Sequence, residues 1–241
     1  PVIFGPTVGD VWLGEDVTPE NFEERHAAAC RPPHPDGHLR LVLGAGNHAL
    51  LPVGDALEAV FLRGETVLVK LNPVNADMRG VVEDLFAPLL ALGVVRVVTG
   101  GADVGAYLCA HEAVESVQLT GSDKTYDAVV FGPGEEGAAR KARGEPLLRK
   151  PVTAELGGVS PTVVVPGPWS GRDVEYAAHG VAYGMTHNGG FNCNTTRLLV
   201  QHEGWALRDA FLGALGGILA RVPTRAAYYP GAGDRWRAMT L

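Results

Sequence analysis

Short apolar runs alternate along the chain with segments whose apolar residues recur every three or four positions. The runs Arg40–Leu43, Thr66–Lys70 and Val94–Val98 have the length and the β-branched composition of buried strands. The intervening helical faces consist of Val53, Ala56, Leu57, Val60 and Phe61, and of Met78, Val81, Val82, Leu85, Phe86, Leu89 and Leu90. This alternation predicts an α/β fold, a parallel sheet with helices on both faces and a ligand crevice at the carboxyl ends of its strands.

The same alternation continues towards the C-terminus. A helical pattern covers Asp103–His111, and strand-like runs follow at Val117–Leu119, Pro151–Thr153 and Pro161–Val165. A longer helix is predicted from Asp173 to Asn188, because its apolar residues fall on one face. The second half of the chain therefore extends the α/β pattern.

Two segments lack such a period. Residues 1–38 contain several loop signals, such as the proline-rich Arg31–Gly37, and are expected to form a peripheral N-terminal segment. Gly132–Pro146 is rich in glycine and in balanced opposite charges, which is typical of a solvated surface insertion. We predict that both segments lie outside the core.

Composition and charge narrow the class of protein. With 46% apolar residues among 241, the chain can bury a substantial core, and its net charge of −7 argues against nucleic-acid or membrane-surface partners. No apolar stretch approaches a membrane span, and the first residues lack a signal-peptide layout. The cysteines Cys30, Cys109 and Cys193 have no CxxC spacing, which favours a reducing cytoplasm and argues against a metal site.

Cys193 is the candidate nucleophile. It follows the flexible pair Gly189 and Gly190 and precedes an apolar run, so a substrate could approach its thiol. A buried structural cysteine is the alternative, since free cysteines are among the most buried residues. A cysteine hydrolase that pairs Cys193 with His187 is a further interpretation.

The segment after the first predicted strand, Gly44–Ala49, has the GxGxxA spacing of a dinucleotide-binding turn. That fingerprint expects an acidic residue at the end of the second strand, where this chain has Lys70. Asn47 lies in the same turn. A neutral amide suits an oxyanion-binding donor, while a plain turn-forming role is the alternative.

Two motifs together resemble the aldehyde dehydrogenase superfamily. One is Glu-Leu-Gly-Gly-x-Ser-Pro at Glu155–Pro161, and the other is the glycine-rich turn that carries Cys193 and leads to Arg197 before a strand. The resemblance implies a Rossmann-like cofactor fold joined to the first part of an α/β catalytic domain. It also implies that Cys193 is the nucleophile, Glu155 the general base and Asn47 an oxyanion donor.

The resemblance further implies NAD or NADP as cofactor. Lys70 matches the lysine that contacts the cofactor ribose. Pro73 stands where many NAD-preferring members have a glutamate, so neither dinucleotide is excluded, and Tyr126 stands where members often have a glycine that bears on the fit of the pyrophosphate. The remaining predicted cofactor-binding residues are Gly101 and Gly105 near the adenosine, Thr120, Gly121 and Ser122 at the pyrophosphate, and Leu156 and Gly157.

The implied organisation has three parts: a peripheral segment at 1–38, an NAD(P)-binding domain at 39–154 and a partial catalytic domain at 155–241. Family members are longer, so the resemblance implies a fragment that lacks the C-terminal part of the catalytic domain and leaves Leu207, Phe211, Leu212 and Leu215 partly uncovered. The implied reaction oxidises a small-molecule aldehyde to its acid through a cysteine thiohemiacetal and thioester. The alternatives are a CoA-acylating enzyme and a non-catalytic cofactor-binding fragment, and the full-length enzyme is expected to be a homo-oligomer.

Overall fold

The computed structural model describes residues 10, 12–25 and 37–240, and its centre is a five-stranded, all-parallel sheet. The strand order is β3-β2-β1-β4-β5. The strands are β1 (Leu39–Leu43), β2 (Thr66–Lys70), β3 (Val95–Val98), β4 (Ser116–Gly121) and β5 (Val152–Leu156). Because the chain runs outward from β1 to β3 and then returns to β4, the loops after β1 and β4 diverge and open a crevice.

Helices cover both faces of this sheet. Leu41 and Val42 of β1 are both fully buried, yet Val42 packs with Phe86 in one cluster and Leu41 with Cys109 in another. Successive strand residues point to opposite faces, so the predicted two-sided α/β architecture is confirmed. The helices are α1 (Phe22–Arg25), α2 (Leu51–Arg63), α3 (Arg79–Leu85), α4 (Ala87–Ala91), α5 (Ala102–Ala110) and α6 (Asp123–Val130).

The helix predicted from Met78 to Leu90 is interrupted. A 3₁₀ segment spans Pro73–Met78, and Phe86, with φ −93° and ψ 7°, separates α3 from α4. Pro88 lies in the first turn of α4, where it lacks the N–H that would continue the preceding helix. The apolar period survives this break, because Phe86 itself remains buried.

The prediction of a surface loop at Gly132–Pro146 is wrong, because most of this segment forms helix α7 (Gly134–Arg143). Acidic residues lie in its first turn and basic residues in its last, an arrangement that complements the helix dipole. Gly137 is buried, and a Cβ there would lie 1.8 Å from the Gly132 carbonyl oxygen. That glycine permits close packing, although in the sequence it resembles a loop signal.

A second, two-stranded parallel sheet follows, built from β6 (Ser160–Val164) and β7 (Thr196–Gln201). They are connected through α8 (Gly171–Thr186), which begins at a capping box formed by Ser170 and Asp173. The remaining helices are α9 (Arg208–Leu219) and α10 (Ala232–Thr240).

The prediction that Phe211 and Leu215, both on α9, are partly uncovered is wrong. Phe211 is fully buried and Leu215 is 6% exposed, because both pack in a cluster with Val174 and Ala178 of α8. Leu212 is 39% exposed. In the residues that the structure describes, no helix is both long and apolar enough to cross a membrane.

The predicted domain boundaries stay predictions. The boundary after residue 154 falls inside β5, which runs to Leu156. Most of the predicted peripheral segment, including Cys30, lies outside the described residues.

We expect Phe86→Ala to lower the free energy of unfolding by about 3 to 5 kcal/mol, because it would leave a cavity between the sheet and α3. Leu85→Ala is the matched control, since the neighbouring Leu85 is 56% exposed and should change stability by less than about 1 kcal/mol. Urea unfolding followed by circular dichroism measures both. Equal losses in the two variants would contradict this account of the core.

Candidate active site

One cavity of about 1650 Å³ lies along the carboxyl ends of the strands and reaches the cysteine loop, which connects α8 to β7 and carries Cys193. Every residue predicted for the site lines it, and their individual roles stay predictions. These residues are Asn47, Lys70, Gly101, Gly105, Thr120, Gly121, Ser122, Glu155, Leu156, Gly157 and Cys193. The α/β topology therefore brings distant motifs to one place.

Lys70 provides a buried cation at the end of β2. Its side chain forms no salt bridge with a described residue, and its Nζ donates one long hydrogen bond, 3.4 Å, to the Leu71 carbonyl. Burial lowers the pKa of the Lys70 ammonium, while the charge of Asp103 opposes that shift. A buried ammonium with so few acceptors favours an oxygen-rich ligand in the cavity.

Two helices begin at this cavity. Gly101 precedes the first turn of α5, and Ser122 caps α6 by accepting a hydrogen bond of 3.1 Å from the Thr125 backbone N–H. A Cβ at Gly105 would lie 3.7 Å from Lys70 Cε, so α5 also packs closely on the lysine stem. These helix starts direct N–H groups towards the cavity, where they favour anions.

The cysteine loop is held open by residues with left-handed backbone conformations. Asn188 has φ 52°, a rare value for a residue other than glycine, and Gly190 has φ 77°. Arg197 fastens the loop to β7 by donating to the Gly190 carbonyl at 2.8 Å. Cys193 is exposed, and its backbone N–H has no acceptor among the described residues. The structural alternative, a buried cysteine, is therefore wrong.

Asn47 connects the turn after β1 to the cysteine loop. The side-chain Nδ2 of Asn47 donates to the Phe191 backbone carbonyl at 2.8 Å, and the backbone carbonyl of Asn47 accepts from Asn188 Nδ2 at 2.7 Å. An amide nitrogen carries two N–H groups, so one remains for a ligand. The two loops predicted to share an oxyanion are thus in direct contact.

Glu155 belongs to β5 and is paired in register with Thr120 of β4. Ser160, which begins β6, donates to the Cys193 carbonyl at 3.4 Å and so links the segment after Glu155 to the cysteine loop. Both side chains, Glu155 and Cys193, line the cavity.

Asp55 of α2 was missed from the sequence. The Thr120 hydroxyl donates to its Oδ2 at 3.5 Å, and burial, followed by the negative charge of Glu155, raises the pKa of Asp55 to about 6. Its spacing from the buried Pro52 and Ala59 would have placed it on the inner face of the helix.

An aromatic group beside the cysteine loop was also missed. The Tyr228 hydroxyl lies 3.0 Å from the Asn47 carbonyl and 3.2 Å from Asn188 Oδ1. The Phe191 ring meets Tyr228 edge-on at 5.0 Å and stacks on Tyr229 at 5.6 Å. The sequence feature that could have indicated this aromatic group is the pair of tyrosines before Pro230, which belongs to no helical or strand period.

His187 neither lines the cavity that contains Cys193 nor forms a hydrogen bond with Cys193. The His187 ring lies 4.7 Å from that of Tyr183, and no histidine lines the cavity in the described part of the chain. The pair required by a cysteine hydrolase is therefore not formed here.

Comparisons with known proteins agree with this geometry. The sequence profile described as "Aldehyde dehydrogenase family" matches residues 44–222. Betaine aldehyde dehydrogenase 2 of Rhizobium meliloti is 39% identical over 131 residues, which are 54% of this chain and 23% of that protein. The fold resembles an NAD-dependent aldehyde dehydrogenase from Sinorhizobium meliloti, at 28% identity and a TM-score of 0.59, covering 78% of this chain and 34% of that one.

The aldehyde dehydrogenase KauB from Pseudomonas aeruginosa gives a similar match, at 25% identity and a TM-score of 0.61 over 78% of this chain and 35% of that one. The chain thus spans about a quarter to a third of the length of these relatives.

We expect Asp55→Asn to stabilise the protein at pH 7.5. The raised pKa means that the folded state favours the protonated acid, so wild-type stability falls as the pH rises from the ordinary aspartate pKa towards about 6. The gain should be about 1 kcal/mol above pH 7, because solvent screens this half-buried group, and it should shrink near pH 4.5.

Thermal and urea unfolding between pH 4.5 and 8 measure this difference, with the exposed Asp84→Asn on α3 as the charge-matched control. A gain for Asp55→Asn that is the same at every pH would contradict the proposed electrostatic cause.

Proposed function

Because the chain belongs to the aldehyde dehydrogenase family, we propose that its cavity oxidises an aldehyde to a carboxylic acid with NAD⁺ or NADP⁺. One observation carries the proposal. A single cavity is lined by the exposed Cys193, whose backbone N–H has no acceptor among the described residues, by Asn47 and by the buried cation Lys70. A nucleophile, oxyanion donors and a cationic cofactor subsite are the parts that this reaction needs.

The residues around Lys70 fit a dinucleotide. The ammonium offers donors that no protein acceptor occupies well, and the first turns of α5 and α6 offer backbone N–H groups for phosphate. The cavity is larger than the 300–1,000 Å³ of common small-molecule pockets, so it has room for a cofactor as well as a substrate. A bound NAD⁺ or NADP⁺ supplies the hydride acceptor.

Cys193 and the oxyanion donors perform the first step of the proposed mechanism. The thiolate attacks the aldehyde carbon, and the carbonyl oxygen gains the negative charge of a thiohemiacetal. The Cys193 N–H and the second N–H of Asn47 stabilise that charge, while the first N–H of Asn47 stays bonded to Phe191. Loss of hydride from the same carbon leaves a thioester on Cys193.

Glu155 acts in the second step. Its carboxylate takes a proton from a water molecule, whose oxygen attacks the thioester carbon; the C–S bond breaks and releases the acid and the Cys193 thiolate, with the proton left on Glu155. The exposure of Glu155 in the cavity wall gives water a path to it. Coenzyme A in place of that water would give the acyl-transfer alternative, which does not require this base.

The direct test incubates the 241-residue chain with NAD⁺ or NADP⁺ and a panel of aldehydes that includes betaine aldehyde. We expect NAD(P)H absorbance to rise with wild type and not with Cys193→Ala, because only the thiol forms the adduct. Turnover that persists in Cys193→Ala would contradict the proposed nucleophile. Binding of cofactor without turnover would instead favour a cofactor-binding fragment.

We expect Glu155→Gln to slow acid release by about 10²- to 10⁴-fold, since the amide cannot accept the proton of water. A first turnover of NAD(P)H should survive, because hydride loss precedes hydrolysis. Rapid-mixing absorbance and quantification of the acid separate the two steps, and the exposed Glu175→Gln on α8 is the control. Undiminished acid release by Glu155→Gln would exclude Glu155 as the base, and acyl-CoA formed on addition of coenzyme A would favour the alternative.

A further inference from the structure

Five cationic side chains from the described part of the chain line the cavity, namely Lys70, Arg149, Lys150, Arg197 and Arg235, and they differ in their hydrogen-bond partners. Lys150 donates to the carbonyls of Cys109 and His111, and Arg197 donates to that of Gly190. In the described residues, the guanidinium groups of Arg149 and Arg235 have neither a hydrogen-bond acceptor nor a carboxylate within salt-bridge distance. An arginine that faces a cavity without a protein acceptor is suited to an anionic ligand.

Arg235 is held in place by an aromatic surface. Its guanidinium carbon lies 5.8 Å from the centre of the Tyr229 ring, and that ring stacks on Phe191 of the cysteine loop at 5.6 Å. Such stacking restricts an arginine side chain and leaves its N–H donors free at the edges. Arg235 is therefore partly oriented before any ligand binds.

The same tyrosine fixes the position of Arg235 along the cavity. A Cβ at Gly46 would lie 2.9 Å from the Tyr229 hydroxyl and 2.9 Å from the side chain of Asn72. Gly46 belongs to the turn after β1, and Asn72 follows Lys70 by two residues at the end of β2. The ring on which Arg235 stacks therefore contacts the turn after β1, the segment after Lys70 and the cysteine loop, and Arg235 shares one cavity with Lys70.

We propose that Arg235 binds a phosphate group of the dinucleotide. The inference rests on the proposed cofactor-binding function and adds a ligand contact from helix α10, which follows the catalytic motifs in the chain. A guanidinium can give two parallel N–H bonds to phosphate oxygens, which a lone ammonium cannot match. The pyrophosphate and a 2′-phosphate share this chemistry, so the choice between them is an outcome of the test.

Arg237 provides a matched control. It lies on the same helix and carries the same charge, but it is paired with Asp234 at 2.5 Å and does not line the cavity. Arg235→Gln and Arg237→Gln therefore change the net charge equally, but only Arg235 lines the cavity, while Arg237→Gln also removes the exposed pair with Asp234. Arg235→Lys keeps the positive charge and removes the guanidinium group that can donate two parallel N–H bonds.

The experiment measures dissociation constants of NAD⁺ and NADP⁺ for wild type and the three variants by isothermal titration calorimetry, with thermal unfolding to confirm folding. We expect Arg235→Gln to weaken binding about tenfold or more, Arg235→Lys to weaken it less and Arg237→Gln to leave it unchanged. A loss for both dinucleotides assigns Arg235 to the pyrophosphate, and a loss for NADP⁺ alone assigns it to the 2′-phosphate.

The failures are distinguishable. If wild type binds a dinucleotide and Arg235→Gln binds it equally well, the inference is overturned and the proposed function stands. Equal weakening by Arg235→Gln and Arg237→Gln would reduce the effect to general charge and would also overturn it. If wild type binds neither dinucleotide, the proposed function fails and the inference fails with it.

Discussion

The reciprocal hydrogen bonds between Asn47 and the cysteine loop are the contact on which the site depends. They join residues 144 and 141 positions apart, the first from the end of β1 and the others from the turn before β7. The left-handed conformation of Asn188 directs its amide into this contact, and Tyr228 supports it from a third segment. Together with the hydrogen bond from Ser160 to the Cys193 carbonyl, these bonds position the thiol of the β6–β7 unit relative to the crevice of the five-stranded sheet.

Charge is distributed unevenly along the cavity. Lys70 lies at the end of β2, whereas Glu155 lies on β5 with Asp55 close to it. Burial lowers the pKa of the lysine and raises that of Asp55, and both shifts record the cost of placing charge beside an apolar sheet. In the proposed mechanism, the environment of Lys70 holds an anionic cofactor and that of Glu155 serves proton transfer.

Local patterns in the sequence predicted the strands, and the resemblance to a known family supplied the site residues, all of which line one cavity. Continuous apolar runs identify buried parallel strands, and topology then brings their carboxyl ends together. Prediction from the sequence failed where tertiary contacts determine the conformation or the charge state of a residue. Gly137 resembles a loop residue until its packing on Gly132 is known. Asp55 becomes an unusual acid only when Thr120 and Glu155 lie next to it, and Tyr228 follows the known motifs in the chain without any period that marks it.

The most direct test of the account is the rate at which neutral iodoacetamide alkylates Cys193, measured by peptide mass spectrometry with and without saturating NAD⁺ or NADP⁺. Alkylation of Cys193 in the urea-unfolded chain, with and without the dinucleotide, is the reference, because Cys109 lines the same cavity. If the thiol and the cofactor share one cavity, the bound dinucleotide will slow alkylation of Cys193 in the folded chain and leave the rate in the unfolded chain unchanged. A dinucleotide that binds without changing the Cys193 rate would contradict the central claim that both belong to one active site.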